Sequence, residues 1–298
     1  MHIEKELLAP KIDVVFHALF RRANNTLLEA MLTAILETKV KIISNLDRHM
    51  DISQVDEKFG IMDLRVEFED KTNCNVEIQL REHEYEKERF LYYLADNYSR
   101  QLRKGSEYDE ISKTISIVIV DHEIDKLKGL ESLNVRWQMR DDKTGKRILT
   151  DKFELVIIEL PKAKRIYSIK NQDKISQWMM FLDNPNSEEV AEIMDKNKDI
   201  KKATEELKHV CGDYELRRMA EWREKGRRDE NAALSFAIKK GLKQGFEQGL
   251  EKGLEQGKQK GIEQGIIKTA KNMLKMNMDV KIIKEATGLS EDEIEKIK

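Results

Sequence analysis

Between residues 63 and 81 apolar and polar side chains alternate twice over. Leu64, Val66 and Phe68 are interleaved with Asp63, Arg65 and Glu67, and Val76, Ile78 and Leu80 with Glu77, Gln79 and Arg81. A period of two sends alternate side chains to opposite faces of a strand, so the segment predicts a β-hairpin with one apolar and one polar face. The polar run Glu69-Asp70-Lys71-Thr72-Asn73 supplies its turn. Opposed residues of an antiparallel pair share a face. The apolar sets therefore meet only if opposed residue numbers add to an even total, near 140 or 142. That register gathers Asp63, Glu77 and Gln79 on the polar side, expected to be the solvated face of the strands. Three oxygen-bearing side chains so placed can hold one hard cation such as Mg²⁺ and aim a water at a phosphate.

Elsewhere the pattern switches between periods. Helical spacing appears over 11–20, where Asp13 stands among Val14, Val15, Ala18 and Leu19, and over 25–37. A first strand is predicted at 40–46. After the hairpin comes a long helix over 85–104, with Phe90, Leu91, Leu94, Tyr98 and Leu102 available to face a sheet. The β-branched run 113–120 reads as a buried strand. Two more strands are expected at 132–139 and 153–160, around the turn Asp141-Asp142-Lys143-Thr144-Gly145. Five or six strands with helices on the sheet faces make an α/β core over residues 1–182, closed by the polar linker 183–187. An all-α extension follows, 183–239, with helices at 187–197, 199–210 and 213–225, where Met219 and Trp222 are expected to pack on neighbours.

Over 240–270 glycine recurs at 241, 245, 249, 253, 257, 261 and 265, each followed by an apolar residue except at Lys258. A helix is predicted, although each glycine costs about 1 kcal/mol against alanine in a helix interior. Two readings stay open: a glycine stripe through which copies of the chain self-associate, or a low-complexity tether. The charged and amide side chains around it exclude a membrane helix. Residues 271–298 predict helix, turn, helix, with Gly288 ending the first helix and Ser290 and Glu293 forming a capping box for the second. That second helix begins Ser290-Glu291-Asp292-Glu293, acidic where a major-groove reader needs cations. The tail is accordingly expected to serve docking or dimerisation.

Composition narrows the function classes. Of the 298 residues 37% are charged, yet the net charge is −2, so any DNA affinity must come from a local basic patch. The best such patch is Arg89, Arg100, Arg103 and Lys104 on the 85–104 helix. Arginine can bind phosphate there in bidentate fashion, and the alternative is a solvated face paired with Glu86, Glu88 and Asp96. Cys74 and Cys211 lie far apart without metal-ligand spacing, which fits a reducing cytoplasm better than a disulfide or zinc framework. The six histidines are scattered and read as solvated or core residues. No secretory leader is expected from the opening MHIEKELLAP, and no apolar run approaches membrane-spanning length.

An Asp late in one strand followed by Glu-x-Gln in the next resembles the PD-(D/E)XK nucleases, with Gln79 where a lysine is usual. Further segments resemble the recombination-promoting nuclease family, also called PD-(D/E)XK nuclease family transposases. They are Pro10-Lys11-Ile12-Asp13-Val14-Val15-Phe16, Phe59-Gly60-Ile61-Met62-Asp63, Val76-Glu77-Ile78-Gln79, Arg89 with Tyr93, Gly105 with Tyr108, and Glu285-Ala286-Thr287-Gly288-Leu289-Ser290 in the tail. The resemblance implies a restriction-endonuclease-like mixed sheet flanked by helices, followed by the all-α C-terminal extension. It also implies a Mg²⁺ (or Mn²⁺) dependent DNA endonuclease acting in recombination, mobile elements or defence. Asp63 and Glu77 would bind metal, Gln79 would orient water, Arg89 would bind phosphate and Asp13 would approach the site. Lys11 and Arg81 are the candidates to replace the missing lysine. The alternative is a catalytically weak DNA-binding or self-associating protein on the same fold.

Overall fold

The computed structural model describes residues 6–22, 25–46, 64–170 and 173–297, apart from the side chains of 22 and 168–170. Asp63 and the run 59–62 lie outside the described residues. The chain separates into two units, Met1–Lys225 and Gly226–Lys298.

The first unit is built on one sheet of six strands: β1 (Ile42–Asn45), β2 (Leu64–Phe68), β3 (Asn73–Gln79), β4 (Thr114–Val120), β5 (Asn134–Gln138) and β6 (Phe153–Glu159). Their order is β1-β2-β3-β4-β6-β5. β3, β4 and β6 run parallel at the centre, and the remaining neighbours are antiparallel. β4, flanked on both sides and covered on both faces, is buried at every position, which is why its sequence is uncharged and rich in β-branched residues. The hairpin turn follows from local chemistry. Lys71 takes a left-handed φ of 69°, and the Asp70 carboxylate accepts the Thr72 N–H at 3.0 Å.

One face of the sheet carries Val66, Cys74, Val76, Ile115, Ile117, Ile119, Val156 and Ile158 into the larger core. Helices α1 (Asp13–Arg22), α2 (Thr26–Leu36), α4 (Leu160–Lys170) and α5 (Lys174–Asp183) pack there, with Phe16, Phe20, Trp178 and Phe181 in mutual ring contact. α4 and α5 carry readable start signals. Pro161 stands in the first turn of α4, where its missing N–H costs nothing, and the Asp173 side chain accepts Ser176 N–H at 2.7 Å to cap α5. Helices α6 (Glu188–Lys196) and α7 (Lys198–Cys211) add Val190, Ile193, Ile200 and Leu207 to the same core. They start on the Ser187 and Asn197 caps.

The opposite face carries Val118, Val120, Leu155 and Ile157, covered by Phe90 and Leu94 of α3 (Glu86–Ser99) and by Ile124 and Leu127. Two expectations fail on these helices. Leu91 points outward, 51% exposed, because the contact with the sheet is narrow and uses only the Phe90–Leu94 row of α3. Trp222 is 73% exposed, while Met219 does pack against the core.

A single helix, α8 (Tyr214–Lys275), runs through the glycine repeat instead of stopping near residue 225. In the second unit the end of α8, α9 (Val280–Thr287) and α10 (Glu291–Lys296) close around Ala270, Ile283 and Ile294. Gly288 takes φ 72° at the end of α9, and both halves of the Ser290–Glu293 capping box are formed.

Candidate functional site

Opposed residues of β2 and β3 add to 140 throughout, from Leu64↔Val76 to Glu67↔Asn73. Leu64, Val66, Cys74 and Val76 accordingly share the larger core, and Asn73, Asn75, Glu77 and Gln79 form a column on the other face of β3. That column is not solvated. Asn75, Glu77 and Gln79 are only 3%, 5% and 6% exposed. The parallel crossover from β3 to β4 runs through α3, which packs over β4 and β6 on this same face of the sheet, while Arg65 and Glu67 of β2 stay half-buried.

The buried column is only partly satisfied. Gln79 Nε2 donates to the Arg81 carbonyl at 2.8 Å, which fixes which end of the amide is which. Its Oε1 and both polar atoms of Asn75 meet no partner. Asn73 is held by Gln101 of the segment after α3, whose amide also donates to Thr114 Oγ1. At the carboxyl ends of the parallel strands Gln79 pairs with Val120 and Val120 with Glu159. Glu159 is 1% exposed, ion-paired with the equally buried Lys162, and accepts Ile124 N–H at 2.7 Å. Lys162 also donates to the Leu127 and Leu130 carbonyls.

Of the other residues singled out in the sequence, Lys11 and Asp13 are engaged with the helix layer. Lys11 Nζ lies 2.9 Å from Asp121 and 2.7 Å from Asp183. Burial works to lower its pKa, but the bonds to Asp183 and Asp121 outweigh it, and the ammonium is held above the ordinary lysine value. Asp13 faces Arg223 of α8 at 3.4 Å. Arg89 sits 6.0 Å over the Tyr93 ring on α3, and Arg100 pairs with Asp96 on the outer helix surface. Arg81 is exposed just past β3.

The structure adds a pair that sequence reasoning missed. Glu86, the first residue of α3, is 4% exposed, and its Oε2 lies 2.7 Å from His122 Nε2 just beyond β4. No spacing links residues 36 apart on different elements; only the crossover brings them together. His83 reports the surrounding charges. Its pKa is lowered by burial and then by Arg89, Arg81 and His122, against an opposing pull from Glu86.

Among the described residues no three His, Cys, Asp or Glu side chains gather as a metal site. The Glu77 carboxylate and the partnerless Gln79 carbonyl oxygen are buried oxygens at successive positions on one face of one strand, the donor type a hard cation takes.

A mixed sheet with a parallel centre, helices on both faces and an acid–amide pair on the inner strand of its hairpin defines an α/β fold of the PD-(D/E)XK type, with a helical extension. Compared with known families, residues 10–237 match the PD-(D/E)XK nuclease family transposases, and the chain belongs to that family. Residues 263–298 match the C-terminal HTH domain of the Rpn/YhgA-like nuclease family. The helix-turn-helix pattern expected for the tail thus coincides with a domain described at the C-terminus of that nuclease family. No curated protein and no solved structure matches the chain.

Proposed function

We propose that the protein is a Mg²⁺- or Mn²⁺-dependent DNA endonuclease of the transposase or recombination-promoting type, hydrolysing phosphodiester bonds. The observation that carries this reading is the buried Glu77 carboxylate beside the partnerless Gln79 oxygen on one face of β3. In this proposal Asp63 and Glu77 hold the metal. When bound, the metal neutralises charge on the nonbridging phosphate oxygens and acidifies a water. Gln79 orients the attacking water through its amide and cannot deprotonate it. Arg89 and Arg81, beside the end of β3, bind flanking phosphates.

The helix-turn-helix tail contributes DNA contact through Lys268, Lys271 and Lys275 at the end of α8 and Lys281 and Lys284 on α9. Glu291, Asp292 and Glu293 at the start of α10 keep that end from the phosphates. The glycine helix joins copies of the chain. A Cβ at any of Gly241, Gly245, Gly249, Gly253, Gly257, Gly261 and Gly265 would meet nothing within 4 Å, and Leu242, Phe246, Leu250, Leu254 and Ile262 are 55–73% exposed. No helix among the described residues is long and apolar enough to cross a membrane. Cys74 and Cys211 are free and buried, which suits a reducing cytoplasm.

The test is plasmid cleavage by the full chain with Mg²⁺ and with chelator. Asp63→Ala and Glu77→Ala should each abolish the metal-dependent activity. Cleavage by both variants equal to the parent would end the assignment at this site. A second reading, a weakly catalytic DNA-binding protein, is favoured by Gln79 itself, and it predicts DNA binding that survives the chelator with no cleavage.

A further inference from the structure

Hydrolysis needs an acceptor for the proton of the attacking water. Gln79 cannot supply one, and Lys11 is held as a cation by two carboxylates. On the side of the sheet covered by α3, one imidazole offers what both lack. His122 Nε2 is bonded to the Glu86 carboxylate at 2.7 Å, and its side chain is 15% exposed. A carboxylate only accepts, so Nε2 carries the hydrogen and Nδ1 carries the lone pair. Nδ1 is buried and meets no partner in the protein. The β3–β4 ladder sets His122 beside the end of the candidate column: Asp121, the residue before it, donates its N–H to the Gln79 carbonyl at 3.0 Å.

We propose that His122 is the proton acceptor for the attacking water in the phosphodiester hydrolysis argued above, on which this inference rests, with Glu86 as its positioning residue. The arrangement follows the general pattern of a base whose tautomer and orientation are fixed by a buried acid. The charged groups near the imidazole come from several elements. Glu86 of α3 is bonded to it, His83 in the segment leading into α3 is near enough to feel its charge, and Asp121 and Glu123 flank His122 in the chain; Arg81 and Arg89 act on His83 in turn. Glu159 of β6, already neutralised by Lys162, holds the backbone two residues beyond at Ile124. Arg81 and Arg89 both lie close enough to His83 to lower its pKa, and the two guanidinium groups give a phosphate diester a cationic place to rest.

In the reacting step the water oxygen bonds to phosphorus as its proton passes to His122 Nδ1. The bond from phosphorus to the leaving oxygen breaks, and that alkoxide takes a proton from solvent. The imidazolium then returns its proton to solvent, and Glu86 remains a carboxylate throughout. Water and diester are consumed, and a phosphomonoester and an alcohol are produced.

The experiment compares full-length parent, His122→Gln, Glu86→Gln and Asp63→Ala in Mg²⁺-dependent plasmid cleavage from acid to neutral pH. The parent rate should climb along a one-proton limb. His122→Gln should lose about 100-fold or more and lose the limb, with partial rescue by added imidazole. Glu86→Gln should lower kcat with the DNA KM unchanged, because an amide no longer fixes the Nε2–H tautomer and the ring's orientation. If His122→Gln cleaves like the parent, or more slowly but on the parent's limb, His122 is at most a packing residue and the proposal is overturned. The nuclease reading then stands, provided Asp63→Ala is inactive. If the parent does not cleave, or Asp63→Ala equals it, the nuclease reading itself fails and takes this inference with it. Should His122→Gln not fold, Glu86→Gln decides: a lowered kcat at unchanged KM and melting temperature supports the proposal, and a kcat equal to the parent's overturns it.

Discussion

Gln79 decides at the scale of one side chain what the β3 column can do. Its amide is locked by the bond to the Arg81 carbonyl, so the oxygen has one direction to point. Gln79→Lys should preserve or raise metal-dependent cleavage if the amide only orients water, since an ammonium does that and can exchange protons as well. A fall in cleavage at an unchanged melting temperature would instead make Oε1 a metal ligand, repelled by the new charge. His17 shows a different cost of burial. It is 3% exposed in α1 with a partnerless Nδ1, and burial, helped by Arg21, lowers its pKa to about 4. The fold therefore favours neutral imidazole. That stability is complete above about pH 6.5 and is lost as pH falls toward about 4, a change of the order of 3 kcal/mol. Urea unfolding at neutral and mildly acid pH should show it, and His17→Leu should flatten the dependence.

Between elements, two contacts carry testable weight. The Glu159–Lys162 ion pair is 1% exposed on both sides and ties the end of β6 to the carbonyls of Leu127 and Leu130. Lys162→Met leaves Glu159 charged and buried, and should destabilise the fold by about 3–5 kcal/mol in denaturant titration. On α8 the glycines make opposite demands on helix and interface. With open space at Gly253, an alanine there should raise helicity by removing about 1 kcal/mol of helix penalty. If the stripe is where copies meet, Gly253→Ala should nevertheless weaken association by blocking close approach. Higher helicity by circular dichroism with unchanged mass by light scattering would leave the tether reading.

For the whole molecule, the two-unit division makes a simple demand. The core of the first unit draws on α1 to α7 and on Leu216 and Ala220 of α8, all before residue 225. Deleting 241–298 should lower the particle mass in light scattering while leaving the core's melting transition in place. A net charge of −2 gives no long-range pull on DNA, so binding should depend on local arginines and lysines and weaken steeply with salt.

The sequence by itself determined whatever depends on neighbours along the chain. Period-two alternation set the hairpin and an even-sum register, near 140 or 142, because a slip of one residue would expose Leu64, Val66 and Phe68; the structure takes 140. The β-branched run of β4 announced a buried strand, and Gly288 with Ser290 and Glu293 announced the turn between α9 and α10. Only the tertiary structure decided what covers each face. A strand pattern tells polar from apolar sides but carries no information about which helix returns over them. For this reason the alternation could not show that Glu77 and Gln79 would be buried instead of bathed in solvent. The Glu86–His122 pair and the engagement of Lys11 with Asp121 and Asp183 arise in the same way, from a crossover and a helix layer that bring distant segments together. Long-range pairing is fixed by the packing of the whole core, and local periodicity does not encode it.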